Sequence, residues 1–135
     1  MSQRRLSHAL LAVNGTLMRG LELNPALLDV GAVYVRDTTT EPSYRLWSVD
    51  DRHPAMVRVT SGGAAVAVEL WSVPIEAVAL ILLNEPDGLA IGRAKLADGS
   101  VVLAVIGESA ACEHQQEITA FGGWRAYMAT LAGSS

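Results

Sequence analysis

Cysteine is nearly missing from this chain. Cys112 is the one cysteine in 135 residues, so no intrachain disulfide framework and no multi-cysteine zinc site can form. An excess of positive charge is missing too. Ten Lys and Arg stand against 14 Asp and Glu, a formal net charge of −4, which argues against a nucleic-acid footprint or a polybasic membrane contact. Long apolar runs are absent, and the segment 101–106 is far too short to span a bilayer. Arg4-Arg5 ahead of an apolar stretch imitates a signal peptide. That stretch is short, contains His8 and runs into Asn14-Gly15 without a small-x-small cleavage site, so it reads as a first strand. A soluble, cytoplasmic protein is expected.

What is present is core. Half the residues are hydrophobic and 18% are charged, a balance that folds rather than stays disordered. The length suits one domain over residues 1–135. No internal repeat or low-complexity linker interrupts it.

Residues 7–13 read as a continuous apolar strand buried on both faces. Leu23-Asn24-Pro25-Ala26-Leu27-Leu28 predicts a short helix, with Asn24 as N-cap and Pro25 at its first position. Strands are expected over 32–36, 44–49, 56–60 and 66–73, with a polar connection at 38–42 and a turn at 50–54. Residues 74–84 switch to helical periodicity, with Ile75, Val78, Ala79 and Leu82 on one face. Asp98-Gly99 marks a hairpin between strands 91–97 and 100–106. Residues 117–131 read as a terminal helix with a break at Gly122-Gly123. Strands dominate without alternating regularly with helices. The expected class is therefore α+β, a small mixed and mostly antiparallel barrel-like sheet with short flanking helices.

Two features carry chemistry on physical grounds alone. The first strand ends in Asn14-Gly15-Thr16-Leu17, a glycine turn that bares backbone N–H groups able to hold a carboxylate or carbonyl oxygen. Glu69 sits mid-strand between Val68 and Leu70. Either it is buried beside a paired arginine with Arg45 and Arg58 as candidates, or it lies on a solvated sheet face. An anionic substrate would require an arginine, and Arg19, Arg45, Arg58 and Arg93 compete for that role. His53 reads as an exposed turn histidine and His8 as a packed one. Cys112-Glu113-His114 has no partner cluster, so no metal site and no cofactor are expected. Trp124 and Tyr127, three apart, read as core residues, and Trp47 and Trp71 as core or pocket wall.

The order of motifs resembles a known family. Val13-Asn14-Gly15-Thr16-Leu17 looks like the Y-G-[ST]-L turn of the gamma-glutamylcyclotransferase-like superfamily, with Asn14 in the tyrosine's place. Tyr44-Arg45-Leu46-Trp47 followed by His53-Pro54-Ala55-Met56 is similar to its aromatic strand and Tyr-Pro-Gly-like turn. Val68-Glu69-Leu70-Trp71 resembles its Gly-Glu-Leu-Tyr strand, and Leu83-Asn84-Glu85-Pro86-Asp87-Gly88 its Leu-Asp-x-x-Glu-Gly segment. Gly20-x-x-x-Asn24, Gly62-Gly63-Ala64-Ala65, Gly88-Leu89-Ala90-Ile91-Gly92 and the run from Glu117 through Phe121-Gly122-Gly123-Trp124-Arg125 to Tyr127 resemble the C-terminal domain of allophanate hydrolase. The chain thus looks like a free-standing homologue of that domain, without the amidase domain that normally precedes it.

The resemblance implies an enzyme acting on an amide, ureido or N-carboxylated small molecule related to urea-derived nitrogen. The alternative it leaves open is a non-catalytic accessory domain beside a separate amidase. Asn14, Gly15, Thr16 and Leu17 would bind substrate, with Tyr44, Arg45 and His53 at the second landmark. The acid that moves protons would be Glu85 or Asp87, with Glu69 as the further candidate. Asp87 stands where the cyclotransferases have their glutamate, and Glu85 comes two residues earlier, just past a helix C-terminus. The bland reading of 85–88 is a solvated acidic loop.

Overall fold

A computed structural model describes residues 6–133; the Arg4-Arg5 pair lies outside the described residues. The strands are β1 His8–Val13, β2 Val33–Thr39, β3 Tyr44–Val49, β4 His53–Arg58, β5 Ala67–Pro74, β6 Leu89–Lys95, β7 Val101–Gly107 and β8 Gln116–Glu117. The helices are α1 Asn24–Asp29, α2 Val78–Leu83 and α3 Trp124–Gly133. Five strands form one mixed sheet in the order β2-β5-β1-β7-β6, and three form a second in the order β4-β3-β8. Among the described residues only the β1–β7 pair is parallel, with Leu11 beside Leu103 and Ala12 beside Ala104. The class is α+β, as the strand-rich pattern indicated.

Buried side chains of β1, β5 and β7 build the core. Leu11, Ala12, Val13, Leu70, Trp71, Val73 and Ala104 belong to one cluster, which Trp124 and Tyr127 of α3 join. The two sheets approach each other where β7 ends. A Cβ on Gly107 would stand 2.6 Å from the Ala55 Cβ of β4, so glycine lets the sheets meet there.

Several local expectations shift. Only the C-terminal half of β1 is buried; His8 and Leu10 are exposed. β2 runs on to Thr39 rather than stopping at Arg36, because Asp37, Thr38 and Thr39 continue its pairing with β5. β4 starts at His53, inside the expected turn. Pro54 can occupy it because β4 is an edge strand, where a missing N–H costs no ladder bond. Leu23, not Asn24, caps α1, and the Asn24 side chain instead donates to the Leu17 carbonyl at 2.9 Å. A 3-10 turn over Ile75–Ala77 precedes α2. The buried residues there are Ala77 and Ile81, while Ile75 and Ala79 are exposed. The terminal helix begins only at Trp124, after β8 and a 3-10 turn over Thr119–Phe121. Gly122, with φ of 79°, ends that turn in the left-handed conformation that glycine tolerates.

Candidate functional site

β1 leaves the core at Asn14, and the chain turns at once. Asn14 is buried, and its side-chain amide donates to the Val105 carbonyl of β7 at 2.8 Å. The place of a tyrosine is thus taken by a short amide that ties the turn to the neighbouring strand. Met18 N–H closes the turn on the Gly15 carbonyl at 3.0 Å. Among the described residues, the backbone N–H groups of Gly15, Thr16 and Leu17 donate to no protein acceptor. Gly15 is there for space: a Cβ would stand 2.5 Å from Pro54 Cδ, so only glycine lets the turn lie against β4.

That approach forms a hollow of about 20 Å3, lined by the 14–17 turn, His53, Pro54 and Glu85 among others. Such a volume accepts one water-sized group, a carbonyl or carboxylate oxygen rather than a whole molecule. Thr16, His53 and Glu85 also line a wider depression of about 630 Å3, which Asp87 and Arg52 border. A ligand would therefore place one oxygen in the hollow and the rest of itself in the depression.

Glu85 is the acid that both spaces share. It lies two residues past α2, where its N–H donates to the Leu82 carbonyl at 3.1 Å. Among the described residues its carboxylate has no ion pair or hydrogen bond. Burial without a compensating partner raises its pKa to about 7. Asp87 is exposed and borders only the depression. His53 is 9% exposed rather than an open turn residue, because it is already the first residue of β4; its Nδ1 lies 3.2 Å from the Pro54 carbonyl.

Glu69 stands apart from this hollow. It is buried, as one of the two readings expected, but its partners are neither Arg45 nor Arg58. Its carboxylate accepts the Arg19 N–H at 2.9 Å, Arg19 Nε at 3.3 Å, Trp71 Nε1 at 3.2 Å and Arg125 at 3.0 Å. Burial alone would raise its pKa, yet the Arg19 amide, Arg125, Trp71 and the Arg19 side chain outweigh it and hold the carboxyl below its ordinary range. Arg125 also donates to the Arg19 carbonyl at 2.6 Å. The backbone of Arg19, two residues beyond the 14–17 turn, is thus gripped on both sides. Arg125 was missed as a partner; its one sequence signal was its place in the Gly122-Gly123-Trp124-Arg125 motif.

Tyr44 and Arg45 are not brought to the hollow. Tyr44 is packed in the core, and Arg45 Nε donates to the Gly62 carbonyl at 3.2 Å while its guanidinium faces Glu117 at 3.9 Å. Arg58 pairs with Glu41 and Arg19 with Asp37 as well as Glu69. His8 is exposed against Ser7 instead of packed. Among the described residues, no group of three or more His, Cys, Asp and Glu gathers as a metal site would require. None of their helices is long and apolar enough to cross a membrane.

The α+β fold that carries the hollow recurs among solved structures. An AIG2-like protein of Mus musculus shares the fold, with a TM-score of 0.63 at 16% identity over 84% of this chain and 88% of that one. The narrower assignment comes from sequence: residues 9–129 match the allophanate hydrolase C-terminal domain, and the chain belongs to that family. It is 32% identical over 128 residues to the urea amidolyase of Saccharomyces cerevisiae, covering 90% of this chain but 7% of that protein. The chain thus spans a small fraction of the curated relatives it matches. A crystal structure of a uropathogenic E. coli-specific protein is 54% identical, with a TM-score of 0.90 over 92% of this chain and 98% of that one.

Proposed function

We propose that this domain is a small-molecule enzyme acting on an amide, ureido or N-carboxylated compound of urea-derived nitrogen, with Glu85 as its general acid. One observation carries the reading: an unpaired, half-buried carboxyl with a pKa of about 7 borders the same hollow as the 14–17 turn and its spare amides. Such a group is protonated in a large fraction of molecules at neutral pH, which suits proton donation. The name of the matched family supports the substrate class, since allophanate is an N-carboxylated urea.

For an N-carboxylated nitrogen the step is simple. The N–C bond breaks, its electron pair stays on nitrogen, and CO2 leaves. Glu85 gives its proton to that nitrogen and is reprotonated from solvent. The Gly15, Thr16 and Leu17 amides hold the oxygen of the neighbouring carbonyl.

The test supplies an N-carboxylated substrate generated in situ from allophanate by a separate amidase and follows CO2 and ammonia release. Wild-type protein is expected to accelerate release, with a rate that falls as pH rises through about 7. Glu85→Gln is expected to lower kcat on the order of 100-fold or more. An unchanged kcat in that variant overturns the assignment.

A further inference from the structure

We infer that Asn14 selects for nitrogen: its Oδ1 accepts an N–H of the ligand whose carbonyl or carboxylate oxygen lies on the turn amides. Compounds with an N–H on that carbon are favoured, and analogues with a methyl or methylene group in its place bind less well. The inference rests on the reading of the hollow given above.

The orientation of the side-chain amide is the first argument. Asn14 Nδ2 donates to the Val105 carbonyl at 2.8 Å and lies 3.8 Å from Met56 Sδ. A main-chain carbonyl only accepts, so a flipped amide would set two oxygens against each other. The hydrogens of Nδ2 are thus directed at β7 and β4, and Oδ1 is turned away from them.

What Oδ1 faces is the second argument. Among the described residues it accepts no hydrogen bond. Nor is it sealed from water, as Glu41 Oε2 and the Tyr44 hydroxyl are. Asn14 as a whole is 3% exposed, and the space that it lines is the hollow. An acceptor without a donor therefore borders the hollow beside three amides without an acceptor.

Those opposite needs specify the ligand. A carboxylate or carbonyl oxygen alone satisfies the amides and leaves Oδ1 unmet, which costs free energy in a buried place. A carboxylated or amide nitrogen satisfies both, with the oxygen on the amides and its own N–H on Oδ1. The Thr16 hydroxyl also lines the hollow, but it rotates to donate or accept and so does not discriminate. The contact serves the reaction as well. With its existing hydrogen held by Asn14, the nitrogen keeps the electron pair released by the N–C bond free for the Glu85 proton.

Oxamate and pyruvate are the probes, alike in size and charge, with NH2 in one where the other has CH3. Binding is followed by NMR shifts of the Gly15, Thr16 and Leu17 amides, and the Asn14 Cγ shift is read in the same titrations. Wild-type protein is expected to bind oxamate about 10-fold tighter than pyruvate. Asn14 Cγ should move with oxamate alone. Asn14→Leu keeps the bulk, removes the acceptor and is expected to bring the ratio close to one. That variant also loses the Val105 bond, so its Tm should fall; if it does not fold, the wild-type Cγ shift decides. Equal affinities in wild-type protein, a still Cγ, or a ratio that survives in Asn14→Leu overturns the role of Asn14 and leaves the hollow as the ligand site. If neither probe shifts the three amides, the hollow is not that site and both assignments fall.

Discussion

Glu69 and Glu85 are the same residue type in opposite situations, and the difference separates structure from chemistry. Glu69 is the more deeply buried, yet four donors from Arg19, Trp71 and Arg125 hold it ionised. Glu85 is less buried, but nothing among the described residues meets its charge, so it is the one pushed to about 7. Burial by itself therefore does not mark a proton donor. What marks it is burial without partners beside a space that a ligand can enter. The two regions are nonetheless joined, because the Glu69 cluster grips the backbone of Arg19 just beyond the turn that forms the hollow.

The sharpest way to break this contrast is to remove the saturated acid. Glu69→Ala leaves two half-exposed arginines and a buried indole N–H without their acceptor. It is expected to cost about 3 kcal/mol in urea unfolding, discounted because water reaches both guanidinium groups. A loss under about 0.5 kcal/mol, the range of an ordinary surface substitution, would show that the cluster does not brace the fold.

Removing the unpaired acid is expected to act in the opposite direction. The folded pKa of Glu85 lies above its unfolded value of 4.5. The folded state therefore holds the extra proton between those values, and stability falls as pH rises from about 4.5 to about 7. Glu85→Gln abolishes that slope and is expected to stabilise the protein by about 2 kcal/mol at pH 8. Unfolding curves collected across this range read it directly. Glu69 contributes with the other sign: its stabilisation is complete above 4.5 and is lost as pH falls through its lowered value.

A smaller effect on stability comes from Gly15→Ala. The new methyl group meets the Pro54 ring and is expected to cost about 1–2 kcal/mol as the turn shifts away from β4. Ligand-induced shifts of the turn amides should vanish in this variant, since a 20 Å3 hollow has no space to give up. Arg125→Met sharpens the link between the two regions. It is expected to raise hydrogen exchange at Met18 and Leu23, whose N–H groups close the turn on the Gly15 and Thr16 carbonyls, while leaving the Glu85 titration in place.

Local chemistry made the hollow's two halves legible in sequence. Asn14-Gly15 ending an apolar run, and Glu85 just past a helix, are features of adjacent residues. The hairpin at Asp98-Gly99 is legible for the same reason, and β6 and β7 pair around it. What joins distant residues was not. Arg19 and Arg125 lie 50 and 56 positions from Glu69, and no spacing rule connects them. The burial of His53 depended on β4 starting three residues earlier than the expected Met56, with Pro54 inside it, which only its edge position allows. The cause of the Glu85 shift also needed the fold. A helix C-terminus was the visible feature, whereas burial supplies the shift.

Carboxyl-carbon NMR titration of the two glutamates reads the contrast most directly. Glu85 is expected to titrate near 7 and Glu69 below 4.5 in the same sample. A Glu85 midpoint at the ordinary 4.5 would contradict its assignment as the proton donor, whatever the Glu69 cluster then proved to hold in place.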